Sequence, residues 1–196
     1  LSFLNVSVTR IPDAHYVWEA KYNGARVVAT SPDYNPTAIH TDRWLNVQPG
    51  ADPFLYMAMV HTILEENLVD EDFVREQTDL TLLVRDDNGK LLRESDLKDD
   101  GKEDVLYLWD TESGRAVPAP GTMGSEQKSL ALGDLSPALE GGFQVEGIAV
   151  QPAVVHLKKE AMRCSPEATR DKTGIHPDVV REEARHVAQA NKAVLA

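Results

Sequence analysis

Apolar positions along the chain follow first a helical and then an extended period. From Pro12 to Asn23, Ala14, Val17 and Trp18 fall on one helical face. Pro12 suits a first helical turn, where its missing N–H would be unpaired anyway. Thr9 or Ile11 falls in the cap region, and Gly24 fits a left-handed stop. Ala25 to Thr30 is a continuous, β-branched run, as in a central parallel strand buried on both faces. Ser31-Pro32-Asp33 and Asn35-Pro36 break it. Trp44 to Val47 predicts a second short strand. Pro49-Gly50 turns the chain, and Asp52-Pro53 reads as a cap followed by a first-turn proline. The helix from Pro53 to Glu66 carries Phe54, Leu55, Met57, Ala58, Val60, Ile63 and Leu64 on most of its sides, so it packs on more than one. Leu1 to Asn5 reads as a strand end, and Asp70 to Glu76 as a helix with an acidic first turn.

Beyond residue 80 the pattern becomes turn-dense. Leu82 to Val84 and Leu91-Leu92 predict a hairpin about Asn88-Gly89, whose positive φ angles suit a tight turn. Val105 to Trp109 and Ala116-Val117 predict a second about Glu112-Ser113-Gly114, and Phe143 to Val150 a third about Glu146-Gly147. Pro118 to Gly124 reads as loop. Helical character returns at Pro152 to Arg163. Ser165-Pro166-Glu167 is a cap, Gly174 a stop, and Pro177 to Asn191 a helix with Val179, Val180, Ala184, Val187 and Ala188 in register. Ala193-Val194-Leu195 reads as the start of a strand. The expected class is α/β: a Rossmann-like parallel sheet with flanking helices plus a β-rich insertion. Residues 1–80 begin the α/β domain, 81–150 form the insertion, and 151–196 return to the domain.

Composition changes this picture little. The chain has 196 residues, 42% of them hydrophobic, and no apolar run long enough to span a bilayer. It begins at Leu1 without a basic-then-apolar leader, which reads as an excised piece of a longer protein or a processed product. Its net charge of −12, from 32 acidic against 20 basic residues, argues against nucleic acid or an anionic membrane surface as a partner. Adaptation to high salt and an ordinary acidic protein fit that balance equally.

The candidate chemistry lies in loops that follow strands, where open α/β sheets bind ligands. Three such loops exist: Asn5 to Arg10, Ser31 to Pro36, and Gln48 to Asp52. Asp52 suits the edge of a guanine ring or a helix cap, Asp33 a ribose hydroxyl or a turn, and Arg10 a phosphate. Residue types alone favour the turn and cap roles for the two aspartates. A dinucleotide glycine motif and a P-loop are both missing, so no ordinary nucleotide site is predicted. The six histidines show no i,i+4 pair, and the lone Cys164 can neither form an internal disulfide nor hold a metal by itself, so no metal ligand and no catalytic residue is assigned. His15 and His40 lie near the loops, whereas His61 reads as a satisfied structural histidine. The charge runs Glu94–Asp104 and Arg181–Arg185 read as solvated faces.

Longer phrases carry a resemblance. VTRIPDAHY, VVATSPDYNPTAIHTDRWLNVQPGADPFLYMAM and ILEENLVDEDFVREQTDLTLLVRDDNGKLLRESDL, with ALEGGFQVEGIAVQPA and KTGIHPDVVREEAR, resemble catalytic subunits of the molybdopterin oxidoreductase (dimethyl sulfoxide reductase) superfamily. The branch is that of membrane-bound nitrate, selenate and (per)chlorate reductases and of ethylbenzene and dimethyl sulfide dehydrogenases. The resemblance runs essentially end to end and implies an internal segment of a longer enzyme. It also implies a molybdenum bis(molybdopterin guanine dinucleotide) cofactor, with Asn5, Thr9, Arg10, Ser31, Pro32, Asp33, Gln48, Gly50 and Asp52 on its binding loops. Val6 stands where many relatives have proline. The family's iron–sulfur motif and molybdenum ligand lie outside the segment, which by itself is expected to be inactive. The further implications are a small oxyanion substrate, an iron–sulfur electron-transfer subunit, a haem or membrane-anchor subunit, and an extracytoplasmic, membrane-associated assembly. The acidic composition tilts the reading to a salt-adapted nitrate reductase. Other reductases of the branch, a hydroxylating dehydrogenase, and a non-catalytic domain of the same fold are the alternatives.

Overall fold

A computed structural model describes residues 5–121 and 131–193. The strand end expected over residues 1–4, the loop beyond Gly121 and the strand start at Val194-Leu195 lie outside the described residues. In chain order the first elements are α1 (Val6–Thr9), α2 (Ile11–Tyr22), β1 (Val28–Thr30), β2 (Arg43–Leu45), α3 (Asp52–Glu65) and α4 (Glu71–Gln77). There follow β3 (Leu83–Arg85), α5 (Glu94–Leu97), β4 (Tyr107–Asp110), β5 (Arg115–Pro118), β6 (Phe143–Val145) and β7 (Ile148–Pro152). The last are α6 (Ala153–Ala161), α7 (Pro166–Thr173) and α8 (Pro177–Gln189). The chain is α/β in class and divides into two compact units, Leu1–Leu68 with Ala161–Ala196, and Val69–Glu160. No helix among the described residues is long and apolar enough to cross a membrane.

In the first unit β1 and β2 run parallel, in the register Val28 with Arg43 and Thr30 with Leu45. Where the run Ala25 to Thr30 predicted a central strand, the ladder holds three residues and one neighbour among the described residues. The segment between them crosses through a 3-10 turn, Ala38–His40. Asp42 pins the start of β1: its Oδ2 accepts from the Val27 N–H at 2.7 Å, and its own N–H donates to the Val27 carbonyl at 2.8 Å. That N–H first, and Lys21 after it, hold the Asp42 carboxyl below its ordinary range. Beside the sheet, α3 packs on α7 and α8 over Leu45, Val47, Leu55, Ala58, Ile175 and Val180. The helix stops fall at the expected glycines: Gly24 has φ +93°, and Gly174 closes α7 at φ +74°. Ser165 caps α7 by accepting from the Ala168 N–H at 3.2 Å. His61 is buried, with Nδ1 3.1 Å from the Ala161 carbonyl, the satisfied structural histidine that its place in an apolar helix predicts.

The second unit is β-rich. β4 and β5 form the predicted hairpin, with Gly114 at φ +64° in its turn. β6 and β7 form another, turned by Glu146 at φ +48° and Gly147 at φ +83°. The hairpin about Asn88-Gly89 forms as well: Val84 bridges Leu91, the Arg85 N–H donates to the Lys90 carbonyl and the Leu92 N–H to the Leu83 carbonyl, each at 2.8 Å. β3 also pairs with β7, Leu83 opposite Pro152. At that turn only Gly89 of the Asn-Gly pair has a positive φ. A core beneath these strands holds Leu83, Leu92, Val105, Tyr107 and Val150, with Trp109 stacked on Phe143 at 4.1 Å.

Asp110 ends β4 and is 4% exposed. Its carboxylate accepts from the Ser113 and Ser136 N–H groups, each at 3.0 Å. Hydrogen bonds from the Ser113 side chain first, and from the Ser136 N–H next, lower its pKa to about 2. A depressed folded-state pKa contributes stability that is complete above the unfolded value of about 3.9 and is lost as pH falls through the folded one. Asp110→Asn is therefore expected to lower stability near neutrality, with a deficit that shrinks as pH falls from about 4 towards 2. Thermal unfolding of the two proteins across that range measures it. A deficit that stays constant would show that Asp110 acts through shape and not charge.

Candidate functional site

The loops that follow β1 and β2 leave the same edge of the parallel pair, because neighbouring parallel strands end on the same side. Thr30 leads into Ser31, and Leu45 leads through Val47 into Gln48. Every residue placed on the candidate binding loops lies in the first unit.

Asn5 to Arg10, expected to be a loop, instead forms the single helical turn α1. The turn is closed locally: Asn5 takes the position before it, and the Thr9 hydroxyl donates to the Asn5 carbonyl at 2.9 Å. A second knot ties it to the loop after β1. The Thr37 hydroxyl donates to Asn5 Oδ1 at 2.8 Å and accepts from the Ser7 N–H at 3.0 Å. Asn35 Oδ1 in turn accepts from the N–H groups of Thr37 and Ala38 at 3.0 and 3.2 Å. Thr37 is 1% exposed and joins the first two candidate loops, a role that a lone threonine in a polar stretch does not announce. Arg10 stays exposed, 3.6 Å from the Asp13 carboxylate, a surface pair too solvated to hold the guanidinium tightly.

Ser31 is buried and committed inward. Its hydroxyl donates to the Asp33 carbonyl at 2.8 Å and accepts from the Trp44 indole N–H at 3.0 Å. Pro32 and Asp33 are exposed beyond it, with the Asp33 side chain facing solvent. His40 is exposed; its ring lies 5.3 Å from Trp18, and its carbonyl accepts from Lys21 at 2.7 Å. His15 is exposed too, its ring 3.8 Å from that of Tyr16.

The third loop is the most ligand-ready. Gln48 is held by its backbone, whose N–H donates to the Thr173 carbonyl at 3.0 Å and whose carbonyl accepts from Ala51. Gly174 sits against it, where a Cβ would come within 3.4 Å of the Gln48 amide nitrogen. Gly50 has φ +79° and open space where a Cβ would stand, so a ligand can approach its backbone. Asp52 corrects the sequence reading. Ala51 takes the position before the helix, Asp52 is the first residue of α3, and no side-chain capping bond forms. Asp52 Oδ1 is buried and has no hydrogen-bond partner.

The solvated reading of Arg181–Arg185 is corrected as well. At the opposite edge of the sheet, Glu183 is 3% exposed. It accepts from Arg26 at 2.6 Å and pairs with Arg43 at 2.8 Å. Glu182 and His186 complete a group whose ligand atoms lie within 4.8 Å of one another. The two guanidinium groups already neutralise those carboxylates, so the cluster is an ion-pair knot that fastens α8 to the strands. Arg43 holds the Glu182 carboxyl below its ordinary range. Cys164 is free and half-buried.

No protein-family model matches the chain. Among characterised proteins it is similar to the dimethylsulfide dehydrogenase subunit alpha of Rhodovulum sulfidophilum, 55% identical over 97% of this chain and 21% of that subunit. It is similar to the chlorate reductase subunit alpha of Ideonella dechloratans, 50% identical over 94% of this chain and 20% of that subunit. The respiratory nitrate reductase subunit alpha of Haloferax mediterranei is 39% identical over 96% of this chain and 20% of its own length. The chain thus spans about a fifth of the length of these relatives.

Proposed function

We propose that this chain, which belongs to the dimethyl sulfoxide reductase family of molybdenum oxidoreductase catalytic subunits, forms a part of such a subunit that grips a guanine dinucleotide end of the molybdopterin cofactor. The observation that carries the reading is Asp52: a carboxylate on the first turn of α3 whose Oδ1 is buried without a partner, two residues after an unobstructed glycine. Buried acceptors are almost always paired, so an orphan at a loop edge asks for a donor from outside the chain. The N1–H and amino group of guanine offer two adjacent donors, and bonds to a carboxylate are the strong, charge-assisted kind.

The residues present fit the group. Asp52 would accept from the base, the Gly50 backbone would allow the ring to approach, and Asp33 would accept from a ribose hydroxyl. Arg10, exposed beside the Asn5–Thr37 knot, would face the pyrophosphate. Asn5, Thr9, Ser31, Pro32 and Gln48 serve by shaping these loops, since their side-chain or backbone polar groups are largely spent within the chain or lie on its exposed turns. When bound, the molybdenum centre supplies two-electron oxidation or reduction with transfer of an oxygen atom. The chain's own contribution is binding and orientation.

For the whole subunit, the identities favour the chemistry of the dimethylsulfide dehydrogenase and chlorate reductase relatives over that of nitrate reductase, towards which the acidic composition tilts. On this reading the substrate is a small sulfide or oxyanion. An iron–sulfur subunit and a haem or anchor subunit are the electron-transfer partners, in an extracytoplasmic assembly. Calorimetric titration of the chain with GDP tests the site. Asp52→Ala is expected to weaken binding at least tenfold, the loss that follows when a charge-assisted bond worth about 1.5–3 kcal/mol is removed. Equal affinity in both proteins, or no affinity in either, would overturn the assignment.

A further inference from the structure

Four buried side-chain polar atoms among the described residues lack a hydrogen-bond partner, and two of them, Asp52 Oδ1 and the Tyr56 hydroxyl, sit on the same helix four residues apart. Residues four apart on an α-helix share a face, with roughly 5–6 Å between their Cβ atoms. Long helical side chains lean back over the preceding turn, which carries the Tyr56 phenol towards Asp52. Tyrosine ordinarily buries its ring and shows its hydroxyl to water. Tyr56 is half-buried with the hydroxyl as a hidden end, so what it shows to solvent is not its polar tip.

Resting on the reading of Asp52 as the guanine acceptor, the geometry points to Tyr56 as a second specificity-determining residue of that site, its hydroxyl donating to the O6 carbonyl of the purine. A carboxylate beside a hydroxyl presents two acceptors and a donor, the complement of guanine's amino group, N1–H and O6. Adenine presents an amino group in place of O6 and an unprotonated N1, so the same pair rejects it. The orphaned hydroxyl and the orphaned carboxylate then have one explanation: both are held ready for a ligand and are unsatisfied without it.

This gives Tyr56→Phe two effects of opposite sign. The variant keeps the ring and removes only the hydroxyl, so without ligand its melting temperature is expected to equal or exceed that of the parent chain. Its affinity for GDP is expected to fall roughly five- to tenfold, as for loss of one neutral hydrogen bond. The diphosphate of 2,6-diaminopurine riboside, which carries an amino group in place of O6 and no proton on N1, is the second probe. The parent chain is expected to prefer GDP to it, and Tyr56→Phe is expected to lose the share of that preference that O6 supplies while keeping the share that Asp52 draws from N1–H. Unchanged GDP affinity in Tyr56→Phe, an unchanged preference, or a lowered melting temperature without ligand would each overturn the role of Tyr56 and leave Asp52 standing. Absence of GDP binding to the parent chain, or binding that survives Asp52→Ala, would remove the guanine site itself and this inference with it.

Discussion

Glu183→Ala is expected to lower the stability of the chain by about 3 kcal/mol, because it strips the shared counter-charge from two guanidinium groups at a buried position. The Glu183 side chain is 4% exposed and receives Arg26 at 2.6 Å and Arg43 at 2.8 Å, with His186 Nδ1 3.6 Å away. Arg26 precedes β1, Arg43 opens β2, and Glu183 lies on α8, so one carboxylate fastens a helix to both strands. Its hydrogen bond to Arg26 is the main reason that this guanidinium is held above its ordinary pKa. Glu182 beside it touches the same arginines from a side chain that is 45% exposed. Water screens such a partner, and Glu182→Ala is expected to cost much less than Glu183→Ala. Urea unfolding of the two variants compares them without adding salt, which would screen the charges. Equal losses would mean that burial of Glu183 has no energetic consequence, and would refute the account.

Leu55→Ala is expected to have an effect of similar size through a different cause. Leu55 has no exposed surface and sits at the centre of the core that joins α3 to α8 and to the end of β2, among Val47, Ala58, Ile175 and Val180. Truncating a leucine in such a site removes transfer free energy and leaves a cavity, together about 2.7–5 kcal/mol. Leu55→Met, which keeps the volume, is expected to cost less than about 1.5 kcal/mol. Leu55 also lies one turn from Asp52, so the cavity loosens the helix end that bears the orphaned carboxylate. GDP affinity should fall in Leu55→Ala although the residue touches no ligand, and should be retained in Leu55→Met. A loss of under about 1 kcal/mol for the alanine variant would show that the core collapses to fill the gap.

Local chemistry made much of the fold legible. Pro12 and Gly24 bracket α2, Ser165 and Gly174 bracket α7, and the glycines at 114 and 147 mark two hairpin turns. Each of these signals acts within a few residues, through a fixed φ, a hydroxyl that meets a nearby N–H, or a backbone that needs no Cβ. Where two local solutions competed, neighbours decided. Asp52 read as a cap because aspartate before proline usually is one; the helix starts a residue earlier, and its carboxylate is left unpaired. β3 forms its hairpin with the Leu91 segment, but its longer ladder, to β7, joins residues as far apart in sequence as Leu83 and Pro152 and has no local signal.

The candidate site was legible in part. Its loops follow from strand endings, and the family follows from phrases spread along the chain, because both are properties of residues in order. Which side chains in those loops are spent and which are free depends on partners far away in sequence. Ser31 looked as available as Asp33 until Trp44 reached its hydroxyl, and Thr37 drew no notice until Asn5, 32 residues earlier, met it. Glu183 read as one charge in a solvated run, and only the approach of Arg26, 157 residues away, makes it the buried centre of a knot. The sequence by itself determined most helix and turn boundaries, though not α1 or the first residue of α3, since propensity, capping and turn geometry are short-range. Only the tertiary structure decided strand partners, buried charges and orphaned acceptors, since desolvation and pairing exist only once distant segments have packed.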